Sequence, residues 1–70
     1  MPEWVIVADD ADGEPLVLSE WVMGFKWASV VAAKSGDAAI SVYRDRWRAK
    51  RQARKLPRDL HARCVRLSRL

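Results

Sequence analysis

The sequence predicts an α+β fold in which an N-terminal β-hairpin packs on two or three α-helices, the C-terminal ones basic. Three observations support this prediction. Aromatic and β-branched residues are concentrated near the N-terminus, an Asp-Gly turn signal follows them, and good helix formers dominate from residue 46 onward. With 70 residues the chain has the length of one small domain, so we expect residues 1–70 to fold as a single unit.

Residues 1–23 are predicted to form an acidic hairpin region. Residues 4–8 read Trp-Val-Ile-Val-Ala, which is typical of a strand. The turn formers of residues 9–15 follow, and an apolar run resumes at residues 16–18. Because an isolated hairpin is only marginally stable in water, we expect its apolar face to pack on the rest of the chain.

Residues 24–56 are predicted to be a helical region that ends in a basic helix. Its first helix is expected over residues 25–34, where Trp27 and Val31 lie four positions apart on one face. Gly36 follows in the place where a left-handed residue ends many helices.

Residues 38–44 fit two alternatives. In the first, Asp37 caps a helix that runs through them. In the second they form a strand, and Asp45 caps a helix that begins at the next residue. Residues 46–56 are helical in both alternatives, because Arg, Lys, Ala, Gln and Leu are good helix formers.

Residues 57–70 are predicted to be a C-terminal amphipathic helix. Pro57 ends the preceding helix and is compatible with the first turn of the next. Leu60, Cys64 and Leu67 are spaced by four and three positions, which places them on one helical face.

Charge is distributed unevenly along the chain. Residues 1–23 contain six acidic and no basic side chains, a net charge of −6, whereas residues 24–70 have a net charge of +10 and the whole chain +4. Basic residues are densest between positions 44 and 58, where Asp45 is the only acid. The eight basic residues there are Arg44, Arg46, Arg48, Lys50, Arg51, Arg54, Lys55 and Arg58. Such crowding of like charge is repulsive unless an anion relieves it.

The basic segment predicts non-catalytic nucleic-acid binding, with DNA as the expected ligand, by a small regulatory or accessory protein. The eight basic residues would contact phosphates, and Arg63, Arg66 and Arg69 would extend the surface. The alternative is a protein–protein interaction module or self-assembling accessory protein whose basic helix docks on an acidic partner surface. Membrane-surface binding is the weakest of the three, because residues 46–56 carry little apolar bulk.

Four tryptophans are a large number for a chain of this length. Trp4, Trp21 and Trp27 have apolar neighbours in sequence, which predicts that they lie in the core or at an interface between subunits. Trp47 is flanked by arginines, so it either anchors a polar helix to the core or offers a ring to a base or a lipid surface. The tryptophans and the small core together suggest a homodimer.

Residues 31–42 partly resemble the core of a helix-turn-helix motif. An alanine stands four positions before Gly36, and the apolar Val42 stands six positions after it. The pattern departs from the motif at Ser35 and Asp37, where apolar residues are usual. The resemblance implies a second helix that starts near Asp37 and enters the major groove of DNA.

Other function classes find little support in the sequence. His61 and Cys64 are one helical turn apart but lack an orienting third group, so we expect no enzyme activity and no cofactor. The acidic residues 9–14 lack the full calcium-loop pattern, and one Cys with one His supplies no zinc site. We expect no membrane span, and the acidic N-terminus and single cysteine favour a cytoplasmic location.

Overall fold

The fold is dominated by an antiparallel β-sheet. The computed structural model of the chain describes residues 3–21 and 24–70. Its elements are β1 (Trp4–Asp9), β2 (Pro15–Trp21), β3 (Phe25–Ser29), α1 (Val30–Lys34), α2 (Arg46–Ala53) and β4 (Arg63–Arg66), with 3-10 turns at Arg58–Leu60 and Leu67–Arg69. The four strands form one sheet in the order β3-β2-β1-β4, and each neighbouring pair is antiparallel.

The N-terminal hairpin is present as predicted. β1 pairs with β2 in a register that aligns Val7 with Val17. The loop between them is closed by one carboxylate oxygen of Asp10, which accepts hydrogen bonds from the backbone N–H groups of Asp12 at 2.8 Å and Glu14 at 2.9 Å. Gly13 has a φ of 80°, a left-handed conformation that glycine adopts without steric cost. This local turn chemistry explains why the sequence signal was strong.

The helix predicted over residues 25–34 is largely wrong. Residues Phe25–Ser29 form β3, in which Trp27 pairs with Leu18 of β2, and only the last five residues are helical. β3 extends the sheet by one strand, which gives the edge of β2 hydrogen-bonding partners that a helix would not supply. Gly36 does follow the short helix with a φ of 81°, as expected for its end.

The amphipathic helix predicted over residues 57–70 is also wrong. Residues Arg63–Arg66 form β4, which pairs with the outer edge of β1. Cys64 and Val65 therefore point to opposite faces of the sheet and pack in different clusters. The physical reason is that β1 is buried on both faces, so the backbone groups on its outer edge require partners.

Residues 38–44 form neither the helix nor the strand that the two alternatives predicted. They form no helix, and their one bridge joins Tyr43 to Trp4, with backbone hydrogen bonds of 2.8 and 2.9 Å. The N–H of Ser41 donates to the carbonyl of Leu18 at 2.9 Å, which ties the segment to β2 as well. The helix-turn-helix resemblance is thus wrong, since no second helix starts near Asp37.

Two apolar clusters cover the two faces of the sheet. The first contains the buried residues Ile6, Leu18, Ala49 and Leu56 and lies under α2. The second contains Val5, Val7 and Val17 and is covered by side chains from α1 and the C-terminus, Val30, Ala33, Leu67 and Leu70 among them. The strand-rich, two-faced sheet replaces the expected hairpin on two or three helices. Over the described part of the chain, no helix has the length and apolar character needed to cross a membrane.

Candidate nucleic-acid interface

Helix α2 carries four of the eight predicted basic residues, and Arg54 follows as its C-cap. Asp45 caps it, as one alternative anticipated: its carboxylate accepts a hydrogen bond from the N–H of Arg48 at 2.8 Å and pairs with the guanidinium of that residue at 3.4 Å. Ala49 is the buried residue of this helix and packs on the first cluster. A helix with so narrow an apolar contact leaves its charged side chains at the surface.

A cationic groove runs between α2 and β4. Arg46, Lys50 and Arg54 follow one another at intervals of four residues, which places them along one side of the helix. The groove encloses about 430 Å³, and its remaining lining consists of Ala53, Ala62, Arg63 and Cys64. Cations thus line the helix side of the groove, and the small residues Ala53, Ala62 and Cys64 complete its lining. We call this feature the α2–β4 groove.

Nearly all of the positive charge of the predicted basic residues lacks a neighbouring carboxylate in the described part of the chain. Within residues 3–21 and 24–70, one of the eight predicted phosphate-binding residues has a carboxylate within 4.0 Å. This residue is Arg48, which pairs with Asp45. The acidic hairpin supplies a second pair, between Asp9 and Arg63 at 3.2 Å. The N-terminal region therefore neutralises one residue of the extended surface and leaves the basic helix free for an external anion.

Trp47 does not anchor α2 to the core. Its side chain is 70% exposed, and the guanidinium carbon of Arg51 lies 5.7 Å from the centre of its ring. A shallow depression of about 300 Å³ is lined by Trp47, Lys50, Arg51 and Arg54. We call it the Trp47 depression. Because Lys50 and Arg54 also line the α2–β4 groove, they form the ridge between the two concave surfaces.

The other tryptophans lie elsewhere. Trp4 is half-buried beside the first cluster, with the guanidinium carbons of Arg46 at 5.8 Å and Arg66 at 5.6 Å from its ring centre. These cation–π contacts position two arginines near the groove. Trp27 packs against the same cluster from β3. The prediction for the side chain of Trp21 falls outside what the structure describes.

The remaining predicted site residues are not brought together. Arg44 and Lys55 are exposed and line none of the described concave surfaces, and Arg58 lies beyond the end of α2, near Leu56 and His61. Arg69 lies close to Arg66 at the edge of β4. Sequence reasoning did not bring Ala62 and Cys64 to the groove, because strand β4 was not predicted.

Among the residues that the structure describes, Cys64 and Tyr43 have pKa values that the fold shifts. Partial burial raises the pKa of the Cys64 thiol, although the nearby charges of Lys50 and Arg46 act in the opposite direction. Burial, and secondarily Cys64, raises the pKa of Tyr43. A reactive cysteine has a lowered pKa, so this environment does not activate the thiol as a nucleophile.

No family model, no curated protein and no solved structure matches the chain. In the part of the chain that the structure covers, no three His, Cys, Asp or Glu side chains lie close enough together to hold a metal ion.

Proposed function

We propose that this chain is a small non-catalytic nucleic-acid-binding protein, with a regulatory or accessory role, that contacts phosphates through the α2–β4 groove. The observation that carries the proposal is the row formed by Arg46, Lys50 and Arg54 along the α2–β4 groove, none of which pairs with a described carboxylate. A polyanion would relieve the repulsion among these side chains and release counterions from its own backbone. Nucleic acid supplies such a regular line of negative charge.

The spacing of the row suits a phosphate backbone. Arg46 and Arg54 are eight residues apart, about 12 Å along the helix axis at 1.5 Å per residue. Phosphates of one strand follow at about 3.4 Å along a stacked helix, so the row spans roughly three to four of them.

The test is binding of fluorescein-labelled DNA, single-stranded and duplex, measured by anisotropy over a salt series. We expect the logarithm of the affinity to fall linearly with the logarithm of the salt concentration, which indicates counterion release. The K50A/R54A variant removes two groove charges, and its slope on duplex DNA should be shallower by about 1.8. If neither the single-stranded nor the duplex DNA binds at about 50 mM salt, the proposal is wrong.

A matched variant separates the groove from the overall charge. R44A/K55A also removes two exposed positive charges, but neither residue lines the groove. We expect its affinity to fall at least tenfold less than that of K50A/R54A. Equal losses in the two variants would mean that the charge of the chain, and not the groove, attracts the DNA.

Within residues 3–21 and 24–70 no strand pairs with the outer edge of β4, and this edge favours a second candidate function, a protein-interaction module. The N–H of Leu67 donates to the carbonyl of Glu3 at 2.8 Å, which sets the alternation of hydrogen bonds between β1 and β4. In that alternation the backbone groups of Cys64 and Arg66 point away from β1. An extended acidic peptide could pair with them while its side chains meet the cations of the groove.

Arg66 offers a sharp test of this second function. Its φ of −66° matches the value that proline imposes, and its N–H faces the open edge. R66P should therefore keep the fold and abolish binding of an acidic strand, whereas R66A should retain the outward N–H and part of the binding. DNA binding should fall alike in the two variants, because both lose the same charge.

A further inference from the structure

We infer that the nucleic acid bound at this surface is a single strand and that Trp47 stacks on one of its bases. The inference rests on the proposed function and specifies the ligand of that site. It is carried by the Trp47 depression and by its position beside the α2–β4 groove, with Lys50 and Arg54 common to both.

The exposure of Trp47 is the first step of the argument. A large aromatic side chain that is 70% exposed loses the hydrophobic stabilisation that burial would provide. Arg51, at 5.7 Å from its ring centre, reduces the freedom of the side chain and places a charge at the rim. An exposed aromatic ring among cations is an arrangement by which proteins bind unpaired bases.

The shared ridge is the second step. Lys50 and Arg54 can pair with phosphates in the groove while the ring of Trp47 lies on the opposite side of the same ridge. A flexible single strand can place its backbone in the groove and turn a base over the ridge onto the ring. A duplex keeps its bases paired and stacked, so it can use the cations but not the ring.

The structure also argues for a sequence-tolerant site. The depression is lined by one aromatic and three cationic side chains, none of which accepts a hydrogen bond from a base. Every base has a face that can stack, whereas recognition of the amino groups of adenine or cytosine needs an acceptor. We therefore expect homopolymers such as oligo(dT) and oligo(dA) to bind comparably.

The test compares W47A with the unaltered chain on oligo(dT) and on duplex DNA of mixed sequence. Loss of one stacked base should weaken oligo(dT) binding about 5- to 150-fold, while duplex binding changes less than about twofold. W47F, which keeps a smaller ring, should recover part of the affinity. V31A removes another exposed apolar side chain, distant in sequence from α2, and should alter neither affinity.

The outcomes separate this inference from the proposed function. If single strands and duplexes bind equally and W47A is without effect on either, the stacking inference is wrong while the groove still binds nucleic acid. If neither DNA binds, both proposals fall. A circular dichroism spectrum of W47A that matches the unaltered chain excludes unfolding as the cause of a loss, and recovery in W47F assigns that loss to the ring.

Discussion

Strand β1 and helix α2 lie against each other and have opposite surroundings. β1 supplies four of the eight buried apolar residues of the described chain, at positions 5–8, whereas α2 supplies Ala49 alone. The strand pairs on both edges and is covered on both faces. The helix keeps Trp47 and its charged residues at the surface.

This difference indicates that β1 mainly stabilises the fold, whereas α2 presents the surface proposed to bind nucleic acid. Substitutions in β1 should reduce the free energy of unfolding and leave the cationic surface unaltered in any molecule that remains folded. Substitutions on the outer side of α2 should alter the cationic surface and leave the free energy of unfolding nearly unchanged. The four predictions below test this separation, beginning with the largest expected effect on stability.

Ile6→Ala should be the most destabilising change. Ile6 is fully buried in the cluster under α2, and truncation of such a side chain costs about 2–5 kcal/mol through lost burial and a residual cavity. Urea denaturation would measure the change in the free energy of unfolding. The control is Val31→Ala, at a side chain 72% exposed, for which we expect less than about 0.5 kcal/mol. Similar values for both would contradict the assignment of the core to β1.

Asp45→Ala should have an intermediate effect, because it removes the cap of α2 and its ion pair. The N–H of Arg48 would lose its side-chain acceptor, and such a loss costs about 1 kcal/mol. Asp12→Ala is the matched control, since it removes an exposed carboxylate that caps no helix. Thermal denaturation of the two variants should rank Asp45→Ala as the less stable; the opposite ranking would mean that the cap contributes nothing.

Raising the pH should reduce stability by a smaller amount. The folded state raises the pKa of Cys64 and Tyr43, so the unfolded chain releases these protons at lower pH than the folded chain does. Their stabilising contribution is complete below the pKa values of the unfolded chain and is lost as the pH rises through the folded values. Cys64→Ala should flatten the alkaline end of a stability profile, and an unchanged profile would show that the thiol is not linked to folding.

K50A/R54A should leave stability almost unchanged, within about 0.5 kcal/mol, even as it weakens DNA binding. Both side chains are exposed and neither pairs with a described carboxylate. Removing two like charges also reduces repulsion along α2, so a slight gain in stability is compatible with this account. A loss above about 2 kcal/mol would show that the groove residues hold the fold together.

The sequence predicted those elements whose cause is local. The Asp10–Glu14 loop and the left-handed Gly36 depend on the conformational preferences of a few adjacent residues. The start of α2 at residue 46, with Asp45 as its cap, was one of the two alternatives that the sequence left open. The density of positive charge was also readable directly, because it needs no knowledge of the fold.

The sequence did not predict β3 and β4, because non-local partners create them. Residues 63–66 read Arg-Cys-Val-Arg, a pattern that favours neither a strand nor a helix strongly. They become a strand because β1 offers an unpaired edge. The second wall of the α2–β4 groove depends on this pairing, so the groove could not be derived from the sequence even though most of its cations were identified.

The most direct test of the account is an NMR titration of the labelled chain with oligo(dT). The account predicts that backbone amides of Arg46–Ala53 and Arg63–Arg66, with the indole N–H of Trp47, shift together on binding. The amides of the acidic loop at residues 10–14 and those of Val30–Lys34 should remain unchanged. Shifts confined to the loop or to the short helix, or no shifts at all, would contradict the account.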